Sequence, residues 1–224
     1  MAYPAEPWSL RGRMYVSVWA LPVADLPGLP AQLAGAVRVV RFGRRAVVGT
    51  AWVDYRPGGD MSYRELLSAV LVRAGLRPRV TITHIWVDSP RSRDGGRALW
   101  GIPKDLAEFE LTGVRAAAAT GAGPIAAARL RRRGPALRLP IGLRVIQVLA
   151  GAAKTTPVRA TARCGPARVA WTIEPDGPLR FLAGRRPLLS MVVDDFRMRF
   201  GAGAARPWMA RTLARSPVEA QPGT

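Results

Sequence analysis

Cysteine, histidine and lysine are all scarce in this chain, and each scarcity removes a class of function. Cys164 is the only cysteine, so no internal disulfide framework can form. His84 is the only histidine, which leaves no Cys/His cluster to ligate a metal; neither a metal nor another cofactor is expected. Long apolar runs are missing as well. The longest, from Leu137 to Ala153, is cut by Arg138, Pro140 and Arg144 and cannot span a bilayer, so no membrane partner is expected. Residues 1–7 lack the basic-then-apolar pattern of a signal peptide, and a cytoplasmic, bacterial-type enzyme is the expectation.

Acidic residues are also few. Lysine and arginine total 34 against 15 acids, a net charge of +19. Clustered basic residues would mark a nucleic-acid binder, because they replace the counterions of a phosphate backbone. Here the arginines are spread along the chain. The one dense run, Arg129-Leu130-Arg131-Arg132-Arg133, carries no interleaved aromatics on which bases could stack. A solvated basic face or a homo-oligomer contact is expected, and nucleic acid is not an expected partner despite the charge.

What remains is a soluble globular composition: 224 residues, 49% apolar, mean hydropathy +0.05. A chain of this length buries roughly 70% of its unfolded surface and needs no staples. Short extended segments separated by Gly and Pro dominate. Strands are expected at Met14–Trp19, at Val37–Phe42 and Ala46–Tyr55 as a hairpin, at Arg79–Val87, Asp105–Leu111, Ala126–Arg131, Val158–Arg163, Val169–Ile173 and Leu189–Phe200. Tyr63–Val72 fits a helix or a buried strand equally. Ser89–Arg97 reads as a turn with one helical turn leading to Trp100, and Pro207–Leu213 as a short C-terminal helix. The pattern predicts an α+β fold, predominantly antiparallel β, as one domain over 1–215 with a disordered tail at 216–224.

Only Lys104 and Lys154 are lysines; every other basic residue is arginine. Arginine stays protonated in proteins, whereas a desolvated lysine can lose its proton and become an amine nucleophile. Lys104 closes the run Trp100-Gly101-Ile102-Pro103-Lys104. Pro103 fixes its own φ and pushes Ile102 into the extended region, so the approach to Lys104 is stiff. Trp100 and Ile102 offer apolar walls that would depress the lysine pKa by disfavouring its charged form.

The stretch Gly96-Arg97-Ala98-Leu99-Trp100-Gly101-Ile102-Pro103-Lys104-Asp105-Leu106-Ala107 resembles the active-site motif of the acetoacetate decarboxylase family, in which the matching lysine forms a Schiff base. Arg11-Gly12-Arg13-Met14-Tyr15-Val16 is similar to the family's early strand, whose arginine matches Arg13. Ser62-Tyr63-Arg64-Glu65 is similar to the segment carrying an active-site glutamate, which matches Glu65. The resemblance implies a β-barrel or cone with a few short helices and a cofactor-free lyase. Its lysine attacks the ketone of a small β-keto acid, and carbon dioxide leaves from the iminium to give an enamine. Lysine activation is already known for this family, so the mechanism is inherited from the resemblance. Glu65 would assist proton transfer and Arg13 would hold the substrate carboxylate or orient Glu65, with Met14, Trp86, Trp100 and Ile102 as pocket walls.

Two departures qualify the match. The family's second lysine is Asp105 here, an anion that would raise the amine pKa if it faced the amine. A further glutamate of the family has no counterpart in Gly49-Thr50-Ala51-Trp52-Val53. An aldolase-dehydratase using the same lysine, or a non-catalytic carbonyl binder, therefore stands beside the decarboxylase. His84 reads as a core or rim residue and Cys164 as structural. Asp88 and Asp94 read as turn and capping residues, Asp194-Asp195 as lacking a second acidic cluster, and Gly201–Arg206 as a turn.

Overall fold

A computed structural model describes residues 3–202. The chain begins with β1 (Trp8–Pro22), the short β2 (Arg38–Val39) and β3 (Arg41–Phe42), then β4 (Arg45–Tyr55), β5 (Tyr63–Ala74) and β6 (Arg77–Val87). An α-helix, α1 (Pro90–Trp100), leads into β7 (Lys104–Leu106) and β8 (Glu108–Leu111). β9 (Arg115–Thr120), β10 (Gly123–Arg132), β11 (Leu137–Leu149), β12 (Ala152–Ile173) and β13 (Leu189–Phe200) complete it. No helix among the described residues is long and apolar enough to cross a membrane.

Pairing runs β11-β6-β5-β4-β1-β13-β12 and returns to β11, so seven strands close into a ring. Almost every pairing is antiparallel; the contact of β6 with β11 at Val80 and Val145 is parallel, as is β7 on β6. Beyond the ring, β10, β9 and β8 extend from β12. This is the expected predominantly antiparallel fold. Period-2 alternation sorts the side chains between one cluster inside the ring and two others, the third built on Trp19, Val48, Val70 and Leu182. Leu10, Val53, Tyr63, Ile85, Val145, Val158 and Val193 belong to one cluster and come from the seven ring strands, one from each, which places that core inside the ring. Tyr15, Trp52, Leu66 and Trp86 point the other way and are covered by Ala116, Ala118, Ile125 and Leu130 of the extension. The ring wall is thus apolar on both faces, and the face of a residue decides what it can reach.

Several elements differ from expectation. Residues 90–100 form three turns of helix rather than one: Ser89 caps the first turn, Pro90 takes the first helical position and Gly101 ends it in the left-handed region at φ 65°. Gly95 and Gly96 disfavour helix locally, but both are used for close packing, described below. Asp105–Leu111 is two strands, because β7 pairs with β6 while β8 pairs with β9. Val158–Arg163 and Val169–Ile173 are parts of one strand, β12, which runs through Gly165-Pro166. Of the expected hairpin, only Arg41–Phe42 pairs with β4; Arg38–Val39 pairs with β5. Tyr63–Val72 is strand. β9 and β11 are strands beyond those expected. Pro207–Leu213, the tail at 216–224 and most of Gly201–Arg206 lie outside the described residues.

Candidate active site

The helix cap organises the site before any chemistry enters. The Ser89 side chain accepts a hydrogen bond from the backbone N–H of Ser92 at 3.2 Å, which fixes Ser92 in the first turn with its own hydroxyl free to point inward. One turn later the helix has no side chain at Gly95 and Gly96. A β-carbon on Gly95 would lie 2.5 Å from Trp8 Cζ2, and one on Gly96 2.8 Å from Lys104 Cδ. The helix therefore lies directly against the Lys104 stem. Beyond it, Arg97 Nε donates to the Lys104 carbonyl at 2.6 Å and Arg97 Nη2 to Asp105 Oδ1 at 2.5 Å, clamping the strand that bears the lysine.

Lys104 sits opposite Ile85 in the β6–β7 register, on the inner face of the wall, and is 4% exposed. Its three ammonium hydrogens meet three acceptors: Glu65 Oε2 at 2.8 Å, Ser92 Oγ at 2.9 Å and Tyr63 OH at 3.3 Å. Nζ also lies 4.9 Å from the Tyr63 ring centroid and 5.9 Å from that of Trp8. Glu65, 2% exposed, accepts a second hydrogen bond from Tyr55 OH at 3.2 Å. The result is a buried ion pair walled by aromatic rings.

Burial is the largest single influence on Lys104 and acts to lower its pKa, but the Glu65 charge and the hydrogen bonds to Glu65 and Tyr63 outweigh it, and the ammonium is held above its usual value. This corrects the expectation of an amine depressed by apolar walls: the wall is there, yet an anion lies within it. Burial pushes Tyr63 up to about 12, and burial together with the Glu65 charge pushes Tyr55 well above the usual range. Both tyrosines are neutral hydroxyls at physiological pH.

The remaining expected residues divide by face. Met14 packs on the inner core, and Trp100 and Ile102 belong to it. Trp100 meets Trp8 edge-on at 4.6 Å. Trp86 does not share the pocket. It pairs with Asp105 on the outer face and stacks on His84 at 5.9 Å. Arg13 is also outside. It pairs with Asp54, one residue out of step with the Met14–Val53–Glu65 row, so its side chain leaves by the opposite face. There it binds Asp194 at 2.8 and 3.1 Å, which raises the Arg13 pKa and lowers that of Asp194. Arg13 thus neither orients Glu65 nor meets Lys104. Asp105 points to solvent, 67% exposed at its side chain and paired with Arg97.

Smaller expectations also find places. His84 is half-buried, hydrogen-bonded to Thr83, with its pKa lowered by burial. Asp88 accepts from the Arg64 backbone N–H, Asp94 pairs with Arg93, and Asp194 and Asp195 pair with Arg13 and Arg138. Cys164 is half-buried, and burial pushes its thiol pKa up. Ser92, Tyr55, Tyr63 and Trp8 were not singled out from the sequence as site residues. The cap signal Ser89-Pro90 could have found Ser92, and the alternation Tyr63, Glu65 could have found Tyr63.

Comparison with known proteins agrees with this architecture. The family model described as acetoacetate decarboxylase matches residues 30–144. No curated protein matches the chain. Among solved structures, the acetoacetate decarboxylase of Legionella pneumophila subsp. pneumophila str. Philadelphia 1 is 17% identical, with a TM-score of 0.66 over 91% of this chain and 88% of that one. The enduracididine biosynthesis enzyme MppR complexed with pyruvate is 14% identical, TM-score 0.60, over 91% of both chains. An acetoacetate decarboxylase-like enzyme from Sphingomonas wittichii RW1 is 13% identical, TM-score 0.56, over 88% of this chain and 91% of that one. With its ring of strands and a family match over half its length, the chain belongs to the acetoacetate decarboxylase family.

Proposed function

We infer that the protein is a Schiff-base-forming carbon–carbon lyase in which Lys104 attacks the ketone of a small β-keto acid and carbon dioxide leaves from the resulting iminium. The observation that carries this reading is the buried Lys104–Glu65 pair at 2.8 Å inside the ring of a family member. At that separation one proton moves between the partners without a net change of charge at the site. The resting state is ammonium and carboxylate; its tautomer is the neutral amine and the carboxylic acid. A ketone arriving at Nζ captures the amine form, and Glu65 holds the proton ready for the departing hydroxyl. Iminium formation then provides the cation into which the C–C electron pair collapses when carbon dioxide departs.

The aldolase-dehydratase reading is favoured by one specific observation. Arg13, the arginine expected to anchor a substrate carboxylate, lies on the outer face with Asp194. A neighbour in fold, MppR, is described as complexed with the condensation product of pyruvate and imidazole 4-carboxaldehyde; it is 16% identical with a TM-score of 0.52. The third reading, a carbonyl binder without turnover, rested on Asp105 holding the ammonium; Asp105 faces away with Arg97, and the anion beside Nζ is Glu65. Incubation with acetoacetate or pyruvate, borohydride reduction and mass mapping tests all of these. An adduct on Lys104 supports the lyase, and its absence across a panel of keto acids sinks it. Carbon dioxide release against a condensed product then separates the two enzyme readings.

A further inference from the structure

An ammonium and a ketone become an iminium and water only if three protons move, and the Lys104–Glu65 pair accounts for two of them. Glu65 Oε2, 2.8 Å from Nζ, takes the first and leaves the neutral amine. Attack on the carbonyl carbon forms the C–N bond and places the carbonyl electron pair on oxygen, giving an N⁺H₂ group beside an alkoxide. One N–H proton must then reach that oxygen. A direct transfer closes a strained four-membered ring of N, H, O and C. Glu65 at this stage carries the first proton and must keep it for the hydroxyl that leaves.

We propose that Ser92 is a catalytic residue that carries this middle proton. Resting on the Schiff-base reading above, it works as follows. Its Oγ, 2.9 Å from Nζ, accepts the N–H proton and passes its own hydroxyl proton to the alkoxide. A hydroxyl suits this task because it donates and accepts at once and needs no change of charge at the end. Glu65 then protonates the new hydroxyl, water departs, and the nitrogen lone pair closes the iminium. The sum is ammonium plus ketone to iminium plus water, with Glu65 returned as carboxylate and Ser92 as hydroxyl.

Position favours Ser92 over its neighbours. It is fully buried, so no solvent water takes its place by default. Its backbone N–H is already tied to Ser89, so the side chain is not spent on capping. Tyr63, the other hydroxyl at Nζ, is farther away at 3.3 Å. Ser92 and Tyr63 both meet Nζ, and Tyr55, whose ring lies 4.4 Å from that of Tyr63, donates to Glu65. Three oxygens thus surround Nζ, from Ser92, Tyr63 and Glu65, with Tyr55 behind Glu65.

A merely structural serine, present to satisfy the third ammonium hydrogen, gives the opposite result on removal. Its loss would loosen the proton on Nζ and leave amine capture as fast or faster. The experiment is rapid-quench borohydride trapping of the Lys104 adduct with acetoacetate and with pyruvate, in wild type, Ser92→Ala, Ser92→Cys and Tyr63→Phe. Relay predicts that Ser92→Ala traps about 10²-fold more slowly, in the range expected for loss of one acid–base group, while reaching the same final yield. Ser92→Cys keeps the side-chain volume with a weaker donor and should be about tenfold slower. It decides the matter if the alanine variant does not fold. Trapping by either folded Ser92 variant at the wild-type rate or faster overturns the relay. So does a loss confined to Tyr63→Phe, which would give that hydroxyl the role. In both cases a trapping wild type leaves the Schiff-base reading standing; a wild type that never traps fails that reading itself.

Discussion

The two lysines of this chain both face a glutamate, and they differ in almost everything else. Lys104 lies inside the ring, 2.8 Å from Glu65, with both side chains at 5% exposure or less. Lys154 lies at a seam, 3.2 Å from Glu6, with side chains 33% and 18% exposed. Lys154 also donates to the Leu99 carbonyl at 2.7 Å, in the last turn of α1, where the helix dipole favours a cation. Glu6 Oε1 in turn accepts from the Ala202 backbone N–H at 2.7 Å. Burial works to raise the Glu6 pKa, but the Ala202 and Lys154 bonds bring it below the usual value. Lys154 is therefore a clasp that joins the N-terminal segment, the helix end and the exit of β13, and nothing there needs a neutral amine. At Lys104 the ion pair is buried, and proton transfer within it releases a nucleophile. Depth, not residue type, separates clasp from candidate nucleophile.

The most severe way to break this comparison is Lys→Arg at each position. Lys104→Arg keeps the charge but removes the amine, and should abolish the borohydride adduct. Lys154→Arg should leave adduct formation unchanged, since a guanidinium can serve both the carbonyl and Glu6. Residual adduct in the Lys104 variant, mapped by mass to Lys154, would overturn the assignment.

Removing the carboxylates comes next. Glu65→Gln strands a buried ammonium, and loss of one partner of such a pair destabilises by about 3–5 kcal/mol. Trapping should also slow by about 10²-fold, because the group that takes and returns the proton is gone. Glu6→Gln acts on a part-exposed pair and should lower stability by no more than about 1 kcal/mol. Urea midpoints of the two variants check both values.

Alkaline titration separates the pairs without mutation. The folded chain holds the Lys104 ammonium above its usual pKa, so the folded state binds that proton more tightly than the unfolded one. The stabilisation is complete below the unfolded lysine value of about 10.4 and is lost as pH rises through the folded value. Tyr63, pushed up to about 12, keeps its proton through most of that interval. Melting temperature followed from about pH 9 to 11.5 should fall more steeply in wild type than in Glu65→Gln. Parallel curves would remove the ion pair from the account.

Much of this contrast was legible in residue types and motif spacing: the rarity of lysine, the stiff Ile102-Pro103 approach, and Glu65 on an alternating segment. Its partners were not. Trp8, Tyr55 and Ser92 reach the Lys104–Glu65 pair from β1, β4 and α1, and only closure of the ring brings those segments to one point. β9, an alanine run, carries little strand propensity and becomes a strand through its pairing with β8 and β10. The glycine pair at 95–96 reads locally as a turn, but the absence of side chains there lets Trp8 and the Lys104 stem touch the helix. Arg13 failed for a simpler reason. A motif match fixes position along a strand, whereas a shift of one residue fixes the face.

That last point supplies the gentlest test. If the wall separates Arg13 from Lys104, Arg13→Gln removes only the paired hydrogen bonds to Asp194. Stability should fall by about 1–2 kcal/mol, the scale of charge-assisted bonds at a part-buried site. Adduct formation on Lys104 should stay within about twofold of wild type, because no bond from Arg13 reaches Glu65, Ser92 or Nζ, whereas loss of an acid–base group would slow it about 10²-fold. The Michaelis constant for acetoacetate should likewise hold, since a carboxylate inside the ring does not meet a guanidinium on its outer face. A large rise in that constant with an unchanged adduct rate would mean that substrate approaches from the outer face. The inner core would then house the lysine while binding began on the other side of the sheet.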